Sequence, residues 1–129
     1  MIVHHIGYLV KDIEKSYKKF QILGFERESD VVYDDYRDIN ILFIKNGNER
    51  VELIAPVSEN SIVFDLYKKY KNCAYHICYI SQNFDEDIAI IKNNGGIQID
   101  APHEAIALNN KKVVFFMFSA IGMIELVES

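Results

Sequence analysis

The chain has 129 residues, half of them apolar and 26% charged, which suits one globular domain over 1–129 with a core of its own. No apolar run approaches the ~20 residues of a membrane helix, and the start carries no signal-peptide pattern, so no membrane partner and a cytoplasmic address are expected. A net charge of −5 argues against a nucleic-acid partner, because phosphate recognition needs a basic face.

Residues 2–10 are rich in Ile, Val, Tyr and Leu and read as a strand. Asp12 to Leu23 reads as a helix: Ile13, Tyr17 and Phe20 recur at i, i+4, i+7, and Gly24 is its stop. Residues 25–33 begin a return strand, 39–44 form the next, and Asn46-Gly47-Asn48 turns into a final strand around Val51–Ala55. Pro56 and the polar Ser58–Asn60 mark a boundary, after which Ser61 to Tyr70 reads as a linking helix with Ser61 as N-cap. The order then starts again. Residues 74–80 are a strand, and Asp85 to Asn94 a helix with Ile88 and Ile91 on one face and Gly95 closing it. Residues 97–101 and 113–118 follow as strands, then the turn Ser119–Gly122 and an apolar last strand. Cys73 and Cys78, five apart, make neither a redox pair nor a disulfide framework and read as reduced buried thiols.

This restart is an internal repeat. HIGYLVKDIEKSYKKFQILG from His5 aligns with HICYISQNFDEDIAIIKNNG from His76, 71 residues on, and each reaches its glycine nineteen residues later. Val51-Glu52-Leu53-Ile54 aligns with Ile124-Glu125-Leu126-Val127, and Ile41–Ile44 with Val114–Met117, both at an offset of 73. Such a unit is too short to be a domain and too long for a solenoid repeat. The expected fold is α+β: two pseudo-symmetric βαβββ modules, about 1–57 and 73–129, joined by a helix at about 61–70. Their strands would form one mixed sheet curled into a cup with the helices outside.

Strand alternation puts His76 on the face of Ala74, Cys78 and Ile80, and His5 on the face of Gly7 and Leu9. His4 points to the opposite face and has no partner in the repeat. Glu52 and Glu125 sit centrally in apolar strands, where a carboxylate costs several kcal/mol unless something pairs with it. The three arginines, Arg27, Arg37 and Arg50, do not recur with the repeat. One divalent cation would answer both glutamates at once. Two neutral imidazoles and two carboxylates suit Zn, Ni, Co, Fe or Mn and leave positions for water or substrate oxygens. The other reading is an old duplication that preserved core patterning.

At these residues the sequence resembles the vicinal oxygen chelate superfamily, which includes glyoxalase I and methylmalonyl-CoA epimerase. The resemblance runs over the whole chain and is carried by His5-Ile6-Gly7 with Val10–Glu14, Val51–Pro56, Tyr75–Cys78 and Ile124–Val127. It implies that His5, Glu52, His76 and Glu125 are the metal ligands, with Glu125 the first choice of general base and Glu52 on the opposite side of the reacting centre. The activity it implies first is a metal-dependent glyoxalase I-type lyase, moving a proton within the hemithioacetal of methylglyoxal and a thiol. An acyl-CoA epimerase resembling methylmalonyl-CoA epimerase is the alternative in the same chemical class. A non-catalytic small-molecule binding or resistance protein is the third. Both reactions take a proton from carbon next to a carbonyl, which a Lewis-acid ion and a tuned glutamate serve. Epimerases of this kind resemble one another in a second acidic base on a first-half strand, where Ile39–Ile44 offers only Asn40. A homodimer with a small-molecule substrate is the implied assembly.

Lesser candidates are Cys78 beside His76, His103 in a segment 101–110 read as a solvated loop or lid, and Tyr36, Phe43, Phe116 and Phe118 as an apolar substrate wall. Asp30, Asp34, Asp35 and Asp38 read as a solvated edge, and the arginines as surface residues.

Overall fold

The computed structural model describes residues 1–129. In chain order the elements are β1 (Ile2–Leu9), α1 (Ile13–Ile22), β2 (Glu26–Arg27), β3 (Val32–Asp34), β4 (Ile39–Asn46), β5 (Glu49–Pro56), α2 (Phe64–Tyr70), β6 (Cys73–Ser81), α3 (Phe84–Asn93), β7 (Ile97–Gln98), β8 (His103–Ala105), β9 (Lys111–Phe118) and β10 (Gly122–Glu128), with a short 3-10 turn at Ile106–Leu108. The fold is α+β with mixed pairing and βαβββ modules, as the repeat implies. The return segment of each module is broken into two short strands. β2 and β3 both pair with β4, and β7 and β8 both pair with β9.

The chain forms two compact units, Ile6–Ala74 and Met1–His5 with Tyr75–Ser129, so the first five residues group with the second half. In the Ile6–Ala74 unit the strands run in the order β2-β4-β5-β1. β1 and β5 are parallel with Gly7 opposite Glu52, and β4 and β5 antiparallel with Phe43 opposite Glu52. Asp12 caps α1 by accepting from the Lys15 amide at 3.0 Å. The helix buries Ile13 and Tyr17 in a core with Val10, Leu42, Ile44, Val51, Leu53 and Ala55. Gly24 ends α1 at φ +98°, a conformation that costs a residue with Cβ about 1–2 kcal/mol. The linking helix begins three residues later than the sequence suggests. Ser61 accepts from the Val63 amide at 3.3 Å in a turn before α2, whose own N-cap, Val63, makes no side-chain bond.

The other unit repeats this plan. β6 and β10 are parallel with Glu125 opposite Cys78, and β9 and β10 antiparallel with Phe115 opposite Glu125. One face of these strands packs Val114, Phe116, Ile124 and Leu126 against Ile91 of α3. The other gathers Cys78, Ala105, Val113 and Val127. Neither cysteine is in a disulfide; Cys78 is buried, Cys73 only half-buried. No helix is long and apolar enough to cross a membrane.

Candidate metal centre

The parallel register of β6 and β10 decides what the second half presents. Glu125 lies opposite Cys78, two residues beyond His76, so alternation puts His76, Cys78 and Glu125 on one face. His5 of β1 meets them there. His5 Nε2 is 3.3 Å from His76 Nε2, and Glu125 Oε2 is 3.2 Å from His5 Nε2 and 3.0 Å from His76 Nε2. All three residues are 3% exposed or less. Three of the four residues singled out in the sequence are thus brought together within one unit.

Two polar atoms of the cluster have no hydrogen-bond partner. Glu125 Oε2 is buried without a hydrogen-bond partner despite its two imidazole neighbours, and so is His76 Nδ1. Burial opposes ionisation of Glu125, but the two histidines outweigh it and hold the carboxyl well below the usual carboxylate range. Two ligand atoms bound at about 2.0–2.1 Å to one ion stand about 2.8–3.4 Å apart at bond angles of 90–109°. The observed 3.0, 3.2 and 3.3 Å lie in that range. Donor type, spacing and the orphaned Oε2 all fit a divalent cation.

Glu52 belongs to the Ile6–Ala74 unit and is 6% exposed. Its register repeats that of Glu125: it lies opposite Gly7, two residues beyond His5, and across from Phe43, as Glu125 lies across from Phe115.

Sequence reasoning missed two neighbours of the cluster. His4, set apart by strand parity, places Nδ1 2.8 Å from His5 Nδ1. Nδ1 is the ring nitrogen nearest the backbone, so adjacent residues can meet there although their side chains leave opposite faces. The His-His pair itself was the available signal. Phe115 packs edge-on against His76 with ring centroids 5.3 Å apart. Its register with Glu125, mirroring Phe43 with Glu52, was the signal for it.

The proposed apolar wall divides. Phe43 is buried opposite Glu52, but Phe116 and Phe118 pack on the α3 side, and Tyr36 is 60% exposed. The reason is alternation: Phe115, not its neighbour, shares the face of Glu125. His103 lies in a strand paired with β9 rather than in a loose loop, its Nδ1 2.9 Å from the Glu104 carbonyl oxygen. Asp34 is not solvated. It is 4% exposed and pairs with the equally buried Arg37 at 2.8 Å while accepting from the Arg37 amide at 3.0 Å. Arg27 pairs with Glu14, and Arg50 donates twice to Glu28 at 2.6 and 3.0 Å.

The model of the glyoxalase/bleomycin resistance protein/dioxygenase superfamily matches residues 4–115. The chain belongs to this superfamily. Among its relatives, mitochondrial methylmalonyl-CoA epimerase of Bos taurus is 25% identical over 122 residues, covering 93% of this chain and 69% of that protein. The Mus musculus enzyme is 23% identical over 114 residues, covering 88% and 64%. The chain therefore spans about two thirds of the length of these curated relatives. Three solved structures share the superfamily fold. A hypothetical protein from Bacillus halodurans has TM-score 0.87, 22% identity and coverage of 98% of this chain and 93% of its own. Methylmalonyl-CoA epimerase from Mycobacterium tuberculosis has TM-score 0.84, 18% identity and coverage of 98% and 86%. The Streptomyces coelicolor methylmalonyl-CoA epimerase in complex with 2-nitronate-propionyl-CoA has TM-score 0.85, 21% identity and coverage of 100% and 97%.

Proposed function

We propose that this protein is a metal-dependent epimerase of a 2-substituted acyl-CoA of the methylmalonyl-CoA type. This reading moves ahead of the glyoxalase I-type lyase that the family resemblance implies first. The observation that carries it is the buried His5–His76–Glu125 cluster with its orphaned carboxylate oxygen, in a chain whose curated relatives are methylmalonyl-CoA epimerases. Glu52 is the proposed fourth ligand, since its register repeats that of Glu125.

The substrate carries a C–H bond next to a thioester carbonyl. His5, Glu52, His76 and Glu125 would hold a divalent ion, which would supply Lewis-acid stabilisation of charge developing on the thioester oxygen. Glu125 is the base that takes the proton from one face of that carbon. Return of a proton to the opposite face inverts the centre, and Glu52 is the acid assigned to that side, because Asn40 on β4 cannot donate as a carboxylic acid does. Glu52 starts protonated and ends as the carboxylate while Glu125 ends protonated, and exchange with solvent resets the pair, so protons balance and no oxidant or reductant is needed. Phe43 and Phe115, paired in register with the two glutamates, supply the apolar surroundings that keep water from the enolate. A homodimer is the proposed assembly, and size-exclusion chromatography with light scattering tests it.

The test uses a single epimer of methylmalonyl-CoA in deuterated buffer with the Co²⁺-loaded protein. Expected are deuterium at C2 and loss of stereochemical purity, both abolished in Glu125→Gln. Formation of lactoylglutathione from methylglyoxal and glutathione, with no exchange at C2, would restore the lyase reading, which the two-glutamate ligand set favours. Neither activity in a metal-loaded protein would make it a binding protein.

A further inference from the structure

We propose that His4 is a positioning residue, holding His5 in the tautomer and rotation that offer Nε2 to the ion. The inference rests on the metal reading above. His4 Nδ1 lies 2.8 Å from His5 Nδ1, with the rings 5.1 Å apart and nearly perpendicular at 80°. Two imidazole nitrogens at that separation share one proton: one donates and the other accepts. The opposite nitrogen of His5 faces His76 Nε2 and Glu125 Oε2. For Nε2 to present a lone pair to a cation, the proton of the neutral His5 ring sits on Nδ1 and is donated to His4. His4 then accepts at Nδ1 and carries its own proton on Nε2. A hydrogen bond of this kind fixes ring rotation as well as tautomer, which is what a ligand at the end of two rotatable bonds lacks.

A rival assignment is a second metal site, since the ligating atoms of His4, His5 and Cys78 lie within 4.8 Å of one another. The 2.8 Å between the two nitrogens stands at the bottom of the about 2.8–3.4 Å span of two ligands on one ion, where only a 90° angle would bring them. It is the usual hydrogen-bond length, whereas the 3.3 Å to His76 Nε2 on the other side of the ring is long for one. The repeat supplies a control within the molecule. The residue before His76 is Tyr75, which packs its ring edge-on against His76 at 4.5 Å, and His76 Nδ1 has no hydrogen-bond partner. The device is built behind His5 alone.

The experiment titrates Co²⁺ into the metal-stripped full chain and its His4→Leu and His4→Asn variants by calorimetry, with thermal melts of each. His4→Leu keeps bulk but has no acceptor, while the Asn side-chain oxygen can accept from His5. Co²⁺ affinity is expected to fall about 10–100-fold in His4→Leu and to recover to within about threefold of wild type in His4→Asn. In the Zn²⁺-loaded wild type, imidazole ¹⁵N spectra are expected to place the His5 proton on Nδ1, a readout that holds even if His4→Leu does not fold. Unchanged affinity in His4→Leu, equal weakening in both variants, or coordination through His5 Nδ1 would overturn the inference while leaving the metal site intact. A wild type that binds no Co²⁺ would sink the metal reading itself, and this inference with it.

Discussion

Asp34 and Arg37 in the first half stand where the second half has Ala105 and Leu108. Asp34 and Ala105 each end a three-residue strand and pair with the first residue of the strand that follows, Ile39 in one case and Lys111 in the other. The first half closes this corner with a buried ion pair, the second with an apolar cluster that Leu108 packs against. The histidines differ in the same manner: His5 is backed by His4, and His76 is packed against the rings of Tyr75 and Phe115. The positions of the proposed ligands are set by strand register, which duplication copies whole. What stands behind each ligand is set by single side chains, which are free to diverge as long as every buried polar atom finds a partner or an ion.

The largest expected effect separates the two glutamates. Glu125→Gln removes the proposed base, and turnover should fall about 10³-fold. Glu52→Gln loses the proposed acid but keeps the base, so deuterium exchange at C2 should survive better than in Glu125→Gln while inversion is lost. Equal losses would break the assignment of distinct roles. Next comes the corner. Asp34→Ala leaves the Arg37 guanidinium buried without its carboxylate and should cost about 3–5 kcal/mol in urea unfolding. Adding Arg37→Leu imports the second half's solution and should bring stability to within about 1 kcal/mol of wild type. If the double variant is no better than the single, the two corners are not interchangeable.

Phe116 and Phe115 test the two faces of one strand. Phe116→Ala empties a fully buried site on the α3 side and should cost about 3–5 kcal/mol while leaving metal affinity unchanged. Phe115→Ala should cost less stability but weaken metal binding, because that ring supports His76.

The repeat made most of this readable. The strands, a helix and its glycine stop recur, so element order, module plan and the positions of His5, His76 and Glu125 follow from the sequence. What escaped depends on contacts that periodicity does not encode. Parity separates His4 from His5, yet their Nδ1 atoms meet. Asp34 looks like one member of an acidic run until Arg37, three residues on, turns back to it. Ser61 has the side chain of a helix cap but spends it on the turn before the helix.

The smallest effect concerns Asp38 and Asn109, which hold matching left-handed conformations at φ 54° and 58°. Asp38 titrates below its ordinary value because the hydroxyls of Ser58 and Tyr33 donate to it. A lowered folded-state value means that its contribution is complete above the ordinary aspartate range and is lost as pH falls through the folded value. Carboxyl-detected NMR should find that low titration, and Ser58→Ala should raise it. Asp38→Asn, which copies the second half, should remove this part of the acid dependence of stability without straining the turn.

The central claim is that His5, Glu52, His76 and Glu125 hold one divalent ion. Elemental analysis after saturation with Ni²⁺, Zn²⁺ or Co²⁺ and exhaustive dialysis tests it most directly, in the wild type beside His76→Ala and Glu125→Gln. The account predicts about one ion per wild-type chain, with binding weakened in both variants. A wild type that retains no stoichiometric metal with any of the three ions would contradict it and leave the four residues as an inherited, metal-free core.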